Sequence, residues 1–377
     1  MKIIHSYYRQ LKDKLYIAFI SIHPKKISER NSFLRTILNG ISNANLSGKF
    51  SDENEAWQNI FRMMIDEKSL SVSTIQLLYS GFAEEKLSLI KEAKTIKDFT
   101  SPVVVCTQKD NYVYLKKFLP YYRGLGVKHF VFIDNNSTDE SYQYLLDQED
   151  VTLFSAPYSF QGTKKAGWKL QALSYVGLNH WYLWLDSDEF LAYPQMESVK
   201  LDEYISYLSE HNIQNVGGFM LDMYPDYKLF EEDENPNNFY EDYVYFDPDS
   251  DYYHLEKGYL FGGMRGRCLD IYNLRLDKTP IIYCSETNIP CGNHSTVPSR
   301  KRLFKNYGCV LKHYKFLSSD KDKYKEIAKP NSGYNSTKVL SKYMDLADMS
   351  VKDANSVKFI DSTSLSAFPY IKNMLSK

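Results

Sequence analysis

Residues 181–190, Trp181-Tyr182-Leu183-Trp184-Leu185-Asp186-Ser187-Asp188-Glu189-Phe190, decide the reading of this chain. The aromatic and aliphatic run favours a buried, pleated strand, and it breaks abruptly into three carboxylates. In extended backbone Asp186 and Asp188 would project the same way. Two carboxylates converging at a strand end repel each other unless a cation lies between them. Hard divalent ions such as Mn²⁺ and Mg²⁺ take oxygen ligands of this kind, with a substrate's phosphates completing the shell. An isolated Asp-x-Asp is more often an acidic turn, so its surroundings have to carry the argument.

Those surroundings alternate strand and helix. Val103 to Cys106 is a short β-branched run suited to a buried parallel strand. A helical stretch from Asn111 to Arg123 follows, ended by Gly124 and Gly126. His129 to Ile133 makes a second strand, closed by Asp134. Asn135-Asn136-Ser137 is a turn, and Ser137 and Glu140 have capping-box spacing for a helix around 138–148. Val151 to Phe154 is a third strand, and a helix around 166–178 leads into the 181–186 strand. This order predicts an α/β fold with a doubly wound, mostly parallel sheet. Ligands in such sheets bind beyond the carboxyl ends of the strands. Thr107, Asp134 and Asp186 sit at three such ends and should share one crevice. Residues 216–222 read as another strand, ending in Asp222. Residues 231–253, acidic and aromatic, read as a long loop over the site.

With 377 residues the chain suits one large domain with additions, or two domains. The expected division is a helical accessory segment over 1–98, a catalytic domain over 99–318 and a helical tail over 319–377. Helices are expected where Leu87, Leu89 and Ile90 fall and within 320–329 and 337–348. The net charge of −1 provides no global basic field for nucleic acid. Five cysteines with no Cys-x-x-Cys pair fit a reduced, cytoplasmic protein. The apolar run 15–22 is far too short to span a bilayer. Lysines at 12, 14, 25 and 26 flank it, so peripheral contact with an anionic membrane is the alternative to a buried element.

These residues together resemble a nucleotide-sugar glycosyltransferase of the GT-A fold. The resemblance is to the bacterial branch of glycosyltransferase family 2 that carries an Asp-x-Asp-Glu-Phe motif. It rests on the strand ending near Thr107, the turn from Ile133 to Asp139, and Asp186-Ser187-Asp188-Glu189-Phe190. Arg265-Gly266-Arg267, Lys278-Thr279-Pro280, Gly292-Asn293-His294 and His313-Tyr314-Lys315 are similar to that branch's later motifs. The match covers residues 100–318. Two features depart from the wider family: the first turn reads Asp-Asn-Asn in place of Asp-Asp-Gly, and Gln-x-x-Arg-Trp is absent.

The resemblance implies a metal-dependent, inverting transfer of sugar from a nucleotide-diphosphate donor to a glycan or lipid-linked acceptor. A cell-surface polysaccharide or lipopolysaccharide is the implied product class. Asp134 would accept hydrogen bonds from the base or ribose. Asp186 would face the ribose or a metal-bound water, and Asp188 would bind Mn²⁺ or Mg²⁺ directly. The resemblance implies that His313 closes the metal shell. Lys278 or Lys315 could meet a phosphate as a point charge. Arg265 and Arg267 could clamp phosphates or an acidic acceptor. Thr107, Lys169 and Gln171 are further donor-site candidates. A proton acceptor for the attacking hydroxyl must lie within hydrogen-bond reach; Asp222 ranks first and Glu189 second. His254 and His294 are acceptor-site candidates. A sugar nucleotidyltransferase would carry a glycine-rich loop after the first strand, and Thr107-Gln108-Lys109-Asp110 has none. A non-catalytic nucleotide- or glycan-binding relic would not need to retain Asp186, Asp188 and His313.

Overall fold

The strands of the main sheet form largely where apolar runs predict them. In a computed structural model they are Ser88–Lys91 (β1), Val103–Gln108 (β2), His129–Asp134 (β3), Val151–Ser155 (β4), His180–Asp186 (β5), Glu189–Ala192 (β6), Asn215–Met223 (β7), Asp277–Cys284 (β8) and Cys309–Tyr314 (β9). The structure describes residues 54–67, 70–94, 101–230, 238–249, 252–256, 258–292, 294–298, 307–328, 342–343, 346 and 349–372. The run at 15–22 and its lysines lie outside them. Among the described residues no helix is long and apolar enough to cross a membrane.

The nine strands make one sheet in the order β1-β4-β3-β2-β5-β8-β7-β9-β6. β4, β3, β2 and β5 are mutually parallel, and β7 and β9 run the same way. β1, β8 and β6 run against them. The sheet is therefore mostly parallel, as expected. Every residue of β2 and β3 is buried, which is why their sequence reads as a continuous apolar run without alternation.

Helices cover both faces. On one, Leu115, Phe118 and Tyr122 of the helix Tyr112–Gly124 pack with Val104, Cys106, Phe132 and Phe190. On the other, the helix Gly162–Val176, here α1, lays Trp168 and Leu170 against Val103, Val105 and Ile133. The helix Asn54–Asp66 joins this second core through Trp57 and Phe61. Glycine is required where α1 meets the preceding segment. A Cβ on Gly81 would fall 2.2 Å from the Lys164 carbonyl oxygen, and one on Gly167 would fall 2.3 Å from that of Leu78.

Three local expectations give way to tertiary pairing. The stretch around Leu89 is strand β1, not helix: an edge strand whose backbone partners come from β4. The helix after the Asp134 turn starts at Ser141, not near 138. The Ser137 hydroxyl cannot cap it, being engaged by the Asp110 amide at 3.0 Å and the Gln108 side-chain amide at 3.1 Å. Within the tail, Lys321–Ala328 is helical as expected. Further along, the described residues form a two-residue strand, Val357–Lys358, and a 3₁₀ turn, Ser362–Ala367.

The connection from β5 to β6 shapes the site. Only Ser187 and Asp188 join them, yet four ladder steps separate them in the sheet. Three peptide steps reach at most about 11 Å, whereas four ladder steps in a flat sheet span about 19 Å. The sheet must curl, and the motif sits in the curl.

Burial also sets an acid limit. His129 is buried, with Nε2 2.9 Å from the Thr152 hydroxyl, and burial pushes its imidazole down to about 4. Below about pH 6.5 the unfolded ring takes a proton that the folded ring refuses until about pH 4. Its contribution to stability should therefore fall with acidification across that window. His129→Gln should flatten this part of a melting temperature–pH curve; an unchanged slope would contradict the assignment.

Candidate active site

The sheet register assembles the centre. His313 of β9 is the Cα partner of both Glu189 on β6 and Asp222 on β7. Residues in one row of a sheet share a face, so these three side chains meet. His313 Nδ1 lies 2.7 Å from Asp222 Oδ1, and its Nε2 lies 3.4 Å from Asp188 Oδ2. Arg265 Nε donates to Asp222 Oδ2 at 2.8 Å, and its Nη1 donates to the Tyr343 hydroxyl at 3.3 Å. Lys315 lies 3.7 Å from Asp188.

A second group surrounds Asp186. Lys165 and Lys169 of α1 approach its Oδ1 at 2.9 and 3.3 Å, and Lys278 of β8 approaches Oδ2 at 3.3 Å. Lys278 also pairs closely with Glu189 Oε1. Glu189 Oε2 accepts the Asp186 backbone N–H at 3.0 Å. The two aspartates of the motif therefore do not project together. Ser187-Asp188 is a turn, and it sends Asp186 to the lysines and Asp188 to His313.

Charge follows this geometry. Burial alone would raise the Asp186 carboxyl, but Lys165, Lys169 and Lys278 hold it well below the usual range. Burial would likewise raise Asp188, and His313 followed by Lys315 holds it down. Burial opposes a charged His313, yet Asp188 and Asp222 raise its imidazole. Asp222 is held at about 2: Arg265 and His313 together outweigh its burial.

Asp188, Glu189 and His313 offer ligand atoms within 4.8 Å of one another. Glu189 is already bonded through both oxygens, which leaves Asp188 and His313 Nε2. A carboxylate on the far nitrogen of a histidine, as Asp222 is here, orients the ring for a metal. This donor set fits a hard divalent cation that keeps open positions for phosphate oxygens.

Other predicted residues divide by location. Thr107 is the Cα partner of Asp186, and among the described residues its buried hydroxyl has no partner, nor do Gln108 Oε1 and Arg265 Nη2. Asp134 is buried and already bonded to the Gln108 amide and the Ser137 N–H. Lys169 is fully buried, bonded to the Leu185 carbonyl at 2.6 Å as well as to Asp186. Gln171 faces away: its side chain binds the backbone of Leu87, Phe82 and Glu85, so it holds the 82–87 segment instead of a donor. Arg267 also leaves the site, gripping Asp247 at 2.8 Å and the Val351 carbonyl at 2.9 Å. His254 is exposed on a separate hairpin, stacked on Phe261. His294 hydrogen-bonds through Nδ1 to the Asp277 carbonyl, next to Lys278.

Asp222 and Glu189, expected to take a proton, each have both oxygens committed. Carboxylates committed in this way orient their partners. Lys165, Gln108 and Tyr343 are additions that the sequence reading missed. Lys165 carried a usable signal, being four residues before Lys169 and so on the same helical face.

No family model matches this chain, and no curated protein matches it. Among solved structures it is similar to S. aureus TarS 1-349, at 13% identity over 66% of each chain with a TM-score of 0.27. A TarS structure of which 38% is covered gives 14% identity and a TM-score of 0.28. HddC from Yersinia pseudotuberculosis gives 12% identity over 49% of this chain and 75% of that one, at 0.25. The chain spans less than two thirds of the length of the TarS chains. Scores this low carry no weight for activity, and the fold class rests on the strand order itself.

Proposed function

We propose that the crevice binds a nucleotide-diphosphate sugar and transfers the sugar, with inversion, to a hydroxyl of a glycan or lipid-linked acceptor. The observation that carries this reading is the pairing of an Asp188–His313–Asp222 unit with the Lys165, Lys169 and Lys278 ammoniums at the ends of parallel strands. In the transfer, the bond between the anomeric carbon and the diphosphate breaks and its electron pair leaves on the nucleotide. The acceptor oxygen bonds to that carbon and releases its proton to solvent water. The growing negative charge on the leaving group is what fixed cations stabilise.

Within this reading Asp188 and His313 hold Mn²⁺ or Mg²⁺, which when bound neutralises phosphate charge. Lys165, on the first turns of α1, and Lys278 offer ammonium protons to the diphosphate. Lys315 supports it from the Asp188 side. Asp222, braced by Arg265, fixes the His313 ring, and Glu189 fixes Lys278. Among the described residues Thr107 Oγ1, Gln108 Oε1 and Arg265 Nη2 are buried without partners, which supports a polar ligand, because buried groups of this kind ordinarily have them. Asp134 anchors the turn behind the base and ribose. A surface polysaccharide or lipopolysaccharide is the proposed product class.

Thermal shifts with UDP, GDP, CDP and CMP, each with and without Mn²⁺, test the reading. A ligand that binds only the folded state raises the melting temperature by mass action. One diphosphate should give a shift that depends on Mn²⁺. No shift with any of the four would remove the basis for a donor site.

A further inference from the structure

His294 is held more firmly than a loop residue needs for folding alone. Its Nδ1 lies 2.6 Å from the Asp277 carbonyl oxygen. A carbonyl only accepts, so Nδ1 carries the hydrogen and Nε2 of the neutral ring keeps a lone pair. Arg275 locks the same unit from the other side. Its Nε lies 3.0 and 2.9 Å from the two Asp277 carboxylate oxygens, and its Nη2 donates to the His294 backbone carbonyl. Arg275 is itself stacked 3.8 Å from the Tyr259 ring centre. Asp277 is fully buried, so this clamp is anchored in the sheet.

The clamp places the ring beside the backbone of the residue that precedes Lys278. Lys278, the residue after Asp277, bonds Asp186 and Glu189, and the charges of Lys278 and Asp186 both reach the imidazole. Burial, followed by the Lys278 charge, pushes the ring down to about 3, so it stays neutral at ordinary pH. The residue is half-buried. Among the described residues nothing bonds Nε2, and it is not one of the sealed, unpartnered atoms. A neutral nitrogen fixed as an acceptor beside Lys278 and left without a partner among the described residues can receive a hydrogen bond from a neutral donor group.

We propose that His294 Nε2 accepts a hydrogen bond from a sugar hydroxyl of the substrate and selects that hydroxyl over its deoxy counterpart. This rests on the transferase reading and deepens it. The hydroxyl belongs either to the sugar being transferred or to the acceptor. Those two sources share the chemistry and separate by experiment.

The probes are the diphosphate that shifts the melting temperature, the glucose conjugate of that nucleotide, the set of monodeoxyglucose conjugates, and methyl glucoside with its deoxy analogues added to the diphosphate complex. The wild-type protein should bind one hydroxylated probe more tightly than its deoxy partner by about 3- to 10-fold, the value of one net hydrogen bond. Discrimination within the nucleotide conjugates assigns the hydroxyl to the transferred sugar; discrimination within the methyl glucosides assigns it to the acceptor. His294→Phe should erase that ratio while leaving binding of the bare diphosphate unchanged. His294→Gln, which restores an acceptor oxygen, should recover part of it and covers the case in which the phenylalanine variant fails to fold. Retention of the full ratio in both variants overturns the proposal, as does a wild-type protein indifferent to every deoxy substitution. Loss of diphosphate binding by the wild-type protein would instead sink the transferase reading beneath it.

Discussion

Asp188→Asn should cut sugar transfer about 10³-fold while the chain stays folded. The amide nearly matches the carboxylate in size, so packing in the curl is preserved, but the charge facing His313 Nε2 at 3.4 Å is lost. The other nominal ligand, Glu189, cannot substitute, since Lys278 and the Asp186 N–H hold it. A cation would then lose the one anionic ligand of the pair and keep only neutral donors. The check is turnover at saturating donor, alongside the Mn²⁺-dependent part of the nucleotide thermal shift. Both should fall together with little change in the melting temperature of the ligand-free protein. Transfer at the wild-type rate would rule out Asp188 as the anchor of the site.

The neighbouring aspartate should behave in the opposite way. Asp186→Ala should lower folding stability by about 3–5 kcal/mol, because it removes the counter-charge of buried ammoniums. Lys169 is fully buried and Lys278 is 4% exposed, so neither can turn to water when its partner goes. Lys169→Met in the Asp186→Ala background should recover part of the loss, since the strained charge is then gone as well. Denaturant titration of the single and double variants measures both effects. A single variant as stable as the parent would show that the lysines find other partners and that Asp186 is free for ligand. Two aspartates only two residues apart should thus separate by readout, one in transfer and the other in stability.

That separation explains how far the sequence could be read. The strands read at 103–106, 129–133 and 181–186 were legible because each is built on an apolar run, and alternation with helices implied a mostly parallel sheet, with a crevice expected at Thr107, Asp134 and Asp186. What Asp186 touches was not legible. Its partners come from α1 and from β8, 92 residues further along, and no local spacing encodes a ladder order. Extended backbone would have aimed both aspartates one way, but the β5–β6 connection is a turn in a curled sheet. Asp222 looked like a free carboxylate at a strand end. Its neighbours, His313 by register and Arg265 from the short helix Met264–Leu269, convert it to a brace. Gln171 failed for a related reason: helix periodicity gives a face, not the identity of what packs on it, and that face meets the 82–87 backbone.

The place of β9 in the sheet has a consequence for biosynthesis. It is the last of the nine strands to be made, yet it inserts between β7 and β6, which are complete about a hundred residues earlier. Until it docks, β7 lacks one neighbour, β6 lacks the only one it has among the described residues, and His313 is missing from the row it shares with Glu189 and Asp222. A chain still on the ribosome can therefore build much of the β2–β5 layer but cannot assemble the Asp188–His313–Asp222 unit. On the proposed function, competence would arrive late and in one step, and ligand binding at this unit would report a completed sheet.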